Sequence, residues 1–230
     1  MQRRAAQPLI RDTTAADIAD VLLLRAASWR AAYAGIMPPA YLDSLDTGPE
    51  AVARAVRRLR ENPPGRHHLV AERAGRIVAF AAAGPERPMP EQLRTGISRG
   101  EVYALYAHPD AWSSGVGAAL LDAARERLLA DGLGRQVLWV LEANSRARAF
   151  YERQGLLATG RRSSLRLGGA VLTELQYGNL GAALVGQATV GQAGDRQAAD
   201  RQAADRPPAD GQGRRVSLSS ALPAPGRRGA

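Results

Sequence analysis

Residues 101–155 decide the fold, and they read EVYALYAHPD AWSSGVGAAL LDAARERLLA DGLGRQVLWV LEANSRARAF YERQG. The run Glu101–Ala107 is rich in strand-forming residues, and a turn with two glycines follows it at Pro109–Gly117. Apolar residues at helical spacing then predict a helix that begins near Val116 and ends at Asp131. The turn therefore lies at the carboxyl end of a strand, where ligands commonly bind.

A second strand and a short helix follow in the same segment. Gln136–Leu141 is an apolar run typical of a strand, and Asn144 is a candidate N-cap. The helix that starts there carries Tyr151 and ends at Gly155. The order strand, helix, strand indicates a crossover connection between two parallel strands.

The glycine turn is a candidate anion site. Backbone N–H groups at the start of a helix lack intrahelical partners, and the helix dipole favours negative charge there. Gly115 and Gly117 allow the backbone to approach a bulky anion such as a pyrophosphate. Taken alone, a Gly-x-Gly turn before a helix is weak evidence for a phosphate site. A dinucleotide-binding turn is disfavoured, because Leu120 stands where the third glycine is needed.

The whole pattern resembles the acetyl-CoA-dependent N-acetyltransferases of the GNAT superfamily. The resemblance is carried by Ala107-His108-Pro109, by the turn Trp112–Gly117, and by Asn144 followed seven residues later by Tyr151. Two residues depart from the family pattern. Trp112 occupies a place where Arg or Gln is usual, and Leu156 replaces a common Phe. The backbone amides of the turn remain, so we expect weaker cofactor binding at most.

The resemblance implies an α/β (α+β) fold, with a mixed central sheet that contains a splayed parallel strand pair flanked by helices. It covers roughly residues 8–178. Within this domain we expect a first strand at Ile10–Asp12, a helix over Ala15–Ala32, and a basic helix at Ala51–Leu59. Further strands are expected in a hairpin and near the end of the domain, at His68–Ala81 and at Leu165–Tyr177, the latter broken by Gly168-Gly169.

The resemblance also implies roles for individual residues. Glu101 is the implied base for the attacking amine, and Tyr151 is the implied acid that donates to the departing sulfur. A backbone N–H at Ala107 is the implied donor to the thioester oxygen, freed by a bulge there that splays the strands. Trp29 and Tyr33 are implied to border the acceptor. The implied contacts to acetyl-CoA are completed by Ser113, Ser114, Gly115, Val116, Gly117, Ala118 and Asn144.

Composition limits other functions. The 230 residues contain no Cys, which excludes disulfides and cysteine nucleophiles, and no Lys, which excludes a Walker phosphate loop and Schiff-base chemistry. No segment has the length and apolarity of a membrane span, and we expect a cytoplasmic protein without a membrane partner. Residues 179–230 are rich in Gly, Ala, Gln, Arg, Asp and Pro, and we expect a disordered tail there.

The expected activity is transfer of acetyl to a primary amine of a small molecule or peptide. A regulatory domain that binds acetyl-CoA without catalysis is one alternative. A basic protein that associates with nucleic acid is another, given the net charge of +9, although the Arg residues are scattered and no Arg–aromatic array occurs. His67 and His68 lack a carboxylate cluster, so no metal is expected. A monomer and a homodimer both remain open.

Overall fold

The computed structural model describes residues 7–87 and 98–179. The predicted tail from residue 180 onward lies outside them. The chain forms five α-helices and seven strands within the described residues. In chain order they are β1 (Leu9–Asp12), α1 (Ile18–Ala32), α2 (Pro39–Asp43), α3 (Pro49–Arg60), β2 (His67–Arg73), β3 (Arg76–Pro85), β4 (Gly100–Ala107), α4 (Val116–Ala130), β5 (Gln136–Leu141), α5 (Ser145–Arg153), β6 (Leu157–Leu167) and β7 (Ala170–Gly178).

One seven-stranded sheet forms the centre of the described structure. Its strand order is β1-β2-β3-β4-β5-β7-β6, and every pair is antiparallel except β4–β5. The parallel pair arises because α4 connects the two strands as a crossover. The mixed α/β class and the parallel pair flanked by helices are therefore confirmed.

Helices cover both faces of the sheet. On one face, α1 packs over the middle strands and α3 packs against α1, and Trp29 and Leu22 are buried there. On the other face α4 buries one apolar stripe, in which Leu120, Leu121 and Leu128 are fully inaccessible. Each such side chain stabilises the fold by about 1.5–3 kcal/mol relative to an exposed one. This burial fixes the start of α4, and with it the glycine turn, at the end of β4.

The parallel pair separates along its length. Register pairing between β4 and β5 runs only from Gly100 opposite Gln136 to Val102 opposite Leu138. Beyond that point β4 continues to Ala107, and β5 continues to Leu141 along β7 instead. The expected splay is thus present, and it leaves one edge of β4 unpaired by β5.

The bulge that accompanies the splay is in a different place from the one expected. The register of β3 against β4 shifts between Ala82 and Ala83, which leaves Tyr103 as the extra residue. Ala107 is in regular register opposite Ala79. The bulge lies at Tyr103 because the strands begin to diverge immediately after Val102, and an extra residue increases the local bend and twist.

Several other elements differ in their bounds from the prediction. The helix predicted from Ala15 begins with a 3-10 turn, and α1 starts at Ile18. The basic helix starts at Pro49, because proline is well suited to the first helical turn. The strand β6 starts at Leu157, eight residues before the predicted start. Its first part is an exposed sheet edge with few apolar residues, so the sequence carries no strand pattern there.

Candidate active site

A cleft of about 550 Å³ opens where β4 and β5 separate. Its lining includes residues 102–107 of β4, the glycine turn, α5 and the end of α1. The predicted residues Tyr33, Asn144 and Tyr151 lie around this one cleft. The splay therefore brings together residues that are more than 100 positions apart in the sequence.

The glycine turn presents free backbone donors to the cleft. Gly115 precedes α4 with a φ of 82°, and Ser113 has a φ of 59°, so both adopt the left-handed region. The first amide of this segment to bond within the helix is that of Ala119, which donates to Gly115 at 3.1 Å. Among the described residues, the amides of Val116, Gly117 and Ala118 donate to no backbone oxygen. These free N–H groups lie at the positive end of a 15-residue helix, which is the arrangement that the predicted anion site needs.

The two serines of the turn have different environments. Ser113, Gly115, Val116, Gly117 and Ala118 line the cleft. Ser114 is not among the lining residues, and its hydroxyl donates to the carbonyl of Ala111 at 2.6 Å. The Ser114 side chain therefore stabilises the turn through this hydrogen bond and does not face the cleft.

The amide of Ala107 faces the separated edge of β4. The amide of His108 donates to Val78 on β3 at 2.9 Å. In an antiparallel ladder the hydrogen-bonded pairs alternate, so the N–H and C=O of Ala107 point away from β3, towards the gap left by β5. The Ala107 carbonyl accepts a hydrogen bond from the indole N–H of Trp112 at 3.0 Å. The N–H of Ala107 thus has the orientation that a donor to a bound carbonyl oxygen needs.

Tyr151 is buried at the inner side of the cleft, with 9 % of its surface exposed. Its ring packs against Phe150 and Tyr177 at centroid distances of 5.2 and 6.5 Å. Burial raises the pKa of Tyr151 well above its usual range, and the nearby Tyr106 adds to the shift. The hydroxyl therefore keeps its proton at neutral pH.

Asn144 caps a helix and also lines the cleft. Its side-chain oxygen accepts a hydrogen bond from the amide of Ala147 at 3.0 Å, which caps α5 as predicted. The same side chain lies next to the hydroxyl of Tyr33. Burial raises the pKa of Tyr33 well above its ordinary value, and the Asn144 contact opposes that shift. Tyr33 and Asn144 thus join the end of α1 to the start of α5 across the cleft.

Trp29 lies behind this wall rather than in it. It is 2 % exposed, belongs to the core, and is not among the lining residues. Its ring contacts Tyr33 edge-on at a centroid distance of 5.5 Å and Tyr106 at 6.1 Å. Trp29 therefore supports the two tyrosines from the core. Its side chain is on the face of α1 that packs against the sheet, so it does not reach the cleft.

Glu101 is placed outside the cleft lining. It is completely buried, and its carboxylate is bound by the guanidinium of Arg87 and by the Arg87 amide, the latter at 2.9 Å. Glu101 lies in the short stretch where β4 and β5 are still paired, opposite Val137. A side chain in that stretch faces packed structure because the strands have not yet separated.

Two features of the site were not predicted from the sequence. The guanidinium of Arg146 lies over the Trp112 ring, 4.0 Å from its centroid. Tyr106 and Glu174 are buried beside Tyr33, and the pKa of Tyr106 is raised to about 12, mainly by burial. Both features depend on contacts between distant segments. The only sequence signal was Trp112 itself, as a departure from the family pattern.

The predicted histidines have other partners. His67 lies 2.7 Å from a carboxylate oxygen of Asp131, and His68 lies 3.3 Å from the side-chain oxygen of Asn62. Across residues 7–87 and 98–179 no group of three or more His, Cys, Asp or Glu side chains has the arrangement of a metal site. None of the helices in those ranges is both long and apolar enough to span a bilayer.

Comparison with known proteins agrees with this geometry. The model of the acetyltransferase (GNAT) family matches residues 29–156, which contain the whole glycine turn and α5. An uncharacterized N-acetyltransferase of Bacillus subtilis, YuaI, is 30 % identical over 135 residues, or 59 % of this chain and 72 % of that protein. A probable N-acetyltransferase of Mycobacterium tuberculosis is 26 % identical over 162 residues, which cover 69 % of this chain and 80 % of the relative.

A solved structure shows the same fold. The PaiA N-acetyltransferase of Thermoplasma acidophilum, determined in complex with coenzyme A, has a TM-score of 0.56 and 19 % identity. The match covers 74 % of this chain and 98 % of that protein. The free amides of the glycine turn and the open edge of β4 fit a cofactor with a pyrophosphate and an amide-bearing arm. This chain belongs to the acetyltransferase (GNAT) family of acetyl-CoA-dependent N-acetyltransferases.

Proposed function

We propose that this enzyme transfers acetyl from acetyl-CoA to a primary amine of a small molecule or peptide, by direct attack in a ternary complex. One observation carries the proposal. The separation of β4 from β5 opens a cleft that is lined by the free amides of the glycine turn, by Ala107 and by Tyr151. These groups supply the donors that thioester aminolysis with a phosphate-bearing cofactor needs.

The residues have distinct parts in the proposed reaction. The amides of Val116, Gly117 and Ala118 bind the pyrophosphate. The N–H of Ala107 donates to the thioester oxygen as negative charge develops on it, the type of contact that commonly contributes most to acyl transfer. The lone pair of the amine nitrogen forms a bond to the acetyl carbonyl carbon, and the carbon–sulfur bond then breaks with its electron pair leaving on the sulfur. The nitrogen loses its extra proton to solvent water.

The hydroxyl of Tyr151 is proposed to stabilise the departing sulfur. A thiol has a pKa of about 8.5, below the ordinary value of about 10 for a tyrosine. Because burial raises the pKa of Tyr151 further, complete proton transfer to the thiolate is unfavourable. The hydroxyl therefore acts as a hydrogen-bond donor to the sulfur, and the thiolate takes its proton from solvent. This refines the predicted acid role of Tyr151.

The acceptor is proposed to enter beside the end of α1. Ser28, Ala32 and Tyr33 line that side of the cleft. Glu101 remains the predicted base. Its burial and its contacts with Arg87 instead favour a role in stabilising the fold. An amine with a low pKa, such as a peptide N-terminus near 8, presents far more free base at neutral pH than an alkyl amine near 10.4.

Thiol release from acetyl-CoA, measured against a panel of amines, tests the proposal. The panel holds amino acids, peptides with free N-termini, and alkyl amines. We expect acetyl-dependent thiol release with at least one class, and initial-rate lines that intersect when both substrates are varied. Parallel lines would indicate a covalent acetyl-enzyme and contradict direct attack; acetyl-CoA binding without turnover across the panel would favour a regulatory domain.

A further inference from the structure

Trp112 is fixed to the end of β4 at the mouth of the cleft. Its indole N–H donates to the carbonyl of Ala107 at 3.0 Å, and the ring lines the cleft. In the sequence pattern of this family, the same position usually holds Arg or Gln. An indole has one N–H, and here it is already used. Trp112 therefore cannot supply the polar contact that the usual residue offers to the cofactor phosphates.

Arg146 provides a cation at the same place. It lies in the first turn of α5, and its guanidinium stacks over the Trp112 ring with 4.0 Å between the guanidinium carbon and the ring centroid. Arg146 also lines the cleft. None of the salt bridges among the described residues involves Arg146. Its charge is therefore not neutralised by a neighbouring side chain in that part of the chain.

The stack joins the two sides of the splayed strand pair. Trp112 follows β4, whereas Arg146 follows β5, and the two residues are 34 positions apart. A guanidinium that stacks on an aromatic face still presents the N–H groups at its edge, in the plane where phosphate oxygens bind. Stacking also restricts the long side chain before any ligand arrives, which lowers the entropic cost of binding.

The charges and dipoles around Arg146 produce a positive electrostatic potential, which favours a phosphate. The free amides of Val116, Gly117 and Ala118 line the same cleft at the start of α4. Among the described residues that line the cleft there is no Asp or Glu, while Arg153 adds a second positive charge on α5. An anion at this mouth would meet backbone donors on one side and the Arg146 guanidinium on the other.

We propose that Arg146, held against Trp112, binds a phosphate group of acetyl-CoA and takes over the contact that the family's usual Arg or Gln makes from position 112. The inference rests on the proposed function, in that it concerns the same cleft. It assigns Trp112 as a positioning residue, because the indole orients the guanidinium and touches no phosphate itself. The pyrophosphate and the 3′-phosphate share the chemistry that Arg146 recognises.

Calorimetric titration of the full-length protein with acetyl-CoA and 3′-dephospho-acetyl-CoA tests the proposal without requiring turnover. We expect R146A to weaken acetyl-CoA binding about 10- to 100-fold, the range for a hydrogen bond to a charged group. The variant R57A removes an equal charge from the exposed face of α3 and should bind like wild type. A loss that persists with the dephospho compound identifies the pyrophosphate, and a loss confined to acetyl-CoA identifies the 3′-phosphate.

A rescue variant and a truncated substrate separate this role from misfolding. The double variant W112R/R146A restores the family's usual cation and should recover most of the lost affinity. Turnover of S-acetylpantetheine, which has no phosphate, should be the same in R146A and wild type within about twofold. Unchanged acetyl-CoA binding in R146A, or an equal loss with S-acetylpantetheine, would overturn the proposal.

The outcomes also distinguish this inference from the proposed function. Wild-type protein that binds acetyl-CoA but acetylates no amine would overturn the proposed function alone, and the R146A titration would still decide the role of Arg146. Wild-type protein that binds no acetyl-CoA would overturn both.

Discussion

Val102 of β4 and Leu138 of β5 are the last pair in the parallel ladder, and the strands separate beyond them. The separation turns the N–H of Ala107 towards a gap instead of towards a neighbouring strand. It also brings the glycine turn that follows β4 and the helix that follows β5 to opposite sides of one cleft. The proposed chemistry depends on this single interruption of the sheet.

Replacement of Tyr151 by Phe should lower kcat by about 10- to 100-fold, somewhat less than a full general acid contributes. The ring would still fill its buried place, so acetyl-CoA affinity and melting temperature should change little. Steady-state kinetics with the best amine check this. Y41F, which alters a tyrosine outside the cleft lining, is the control and should retain full activity. Unchanged kcat in Y151F would remove Tyr151 from the mechanism.

The pH dependence of the rate follows from the same hydroxyl. Because burial raises the pKa of Tyr151, its protonated form persists throughout pH 6–10. The rate should therefore rise with pH as the acceptor amine loses its proton, and then level off without an alkaline fall due to Tyr151. A pH–rate profile of kcat checks this. A fall below pH 10 that disappears in Y151F would contradict it.

Glu101→Gln should act on stability more than on chemistry. The Glu101 carboxylate is buried and holds Arg87, so neutralising it should destabilise the fold by about 1–3 kcal/mol. Denaturant unfolding measures the loss, and the pH–rate profile of the folded variant should keep its shape. A stable variant with a rate loss of 100-fold or more, and an altered acidic limb, would instead establish Glu101 as the base.

Gly115→Ala and Gly132→Ala form a matched pair. Both glycines have a positive φ, 82° and 78°, and an added methyl group would meet no atom within 4 Å at either site. Each substitution should therefore cost about 1–2 kcal/mol of backbone strain. Only G115A, at the anion site, should also weaken acetyl-CoA binding, because relaxing the strain moves the turn amides. Equal affinities in the two variants would argue against an anion site at this turn.

Asp17 should make stability depend on acidic pH. Its carboxylate binds Arg11 through two hydrogen bonds of 2.7 and 2.9 Å, and this pair, with Thr14, holds the pKa of Asp17 well below its usual range. A lowered folded-state pKa means that the stabilisation is present above the unfolded value of about 3.9 and is lost as the pH falls. Thermal unfolding from pH 7 to 2 should show this loss.

Matched variants isolate the contribution of Asp17. D17N should be destabilised at pH 7 and should show a shallower acidic decline than wild type. D122N, which alters an exposed carboxylate on α4, should follow the wild-type curve. Parallel pH curves for D17N and wild type would contradict the assigned role of the Arg11–Asp17 pair.

Sequence reasoning succeeded where the signal is local. The turn, α4, β5 and α5 follow from apolar spacing, a cap at Asn144 and stop signals, all of which are short-range. It was less successful where side chains meet across the fold. The burial of Glu101 against Arg87 and the position of Trp29 behind Tyr33 depend on packing between elements, as does the stack of Arg146 on Trp112.

Backbone amide NMR of the ¹⁵N-labelled full-length protein, titrated with acetyl-CoA, tests the central claim most directly. The account predicts saturable binding, with the largest shifts at Ala107 and at Val116–Ala118, and small shifts on α3. NADH, which carries a pyrophosphate but no pantetheine arm, should cause no chemical-shift change at the Ala107 amide. An absence of saturable binding, or shifts concentrated away from the cleft between β4 and β5, would contradict the account.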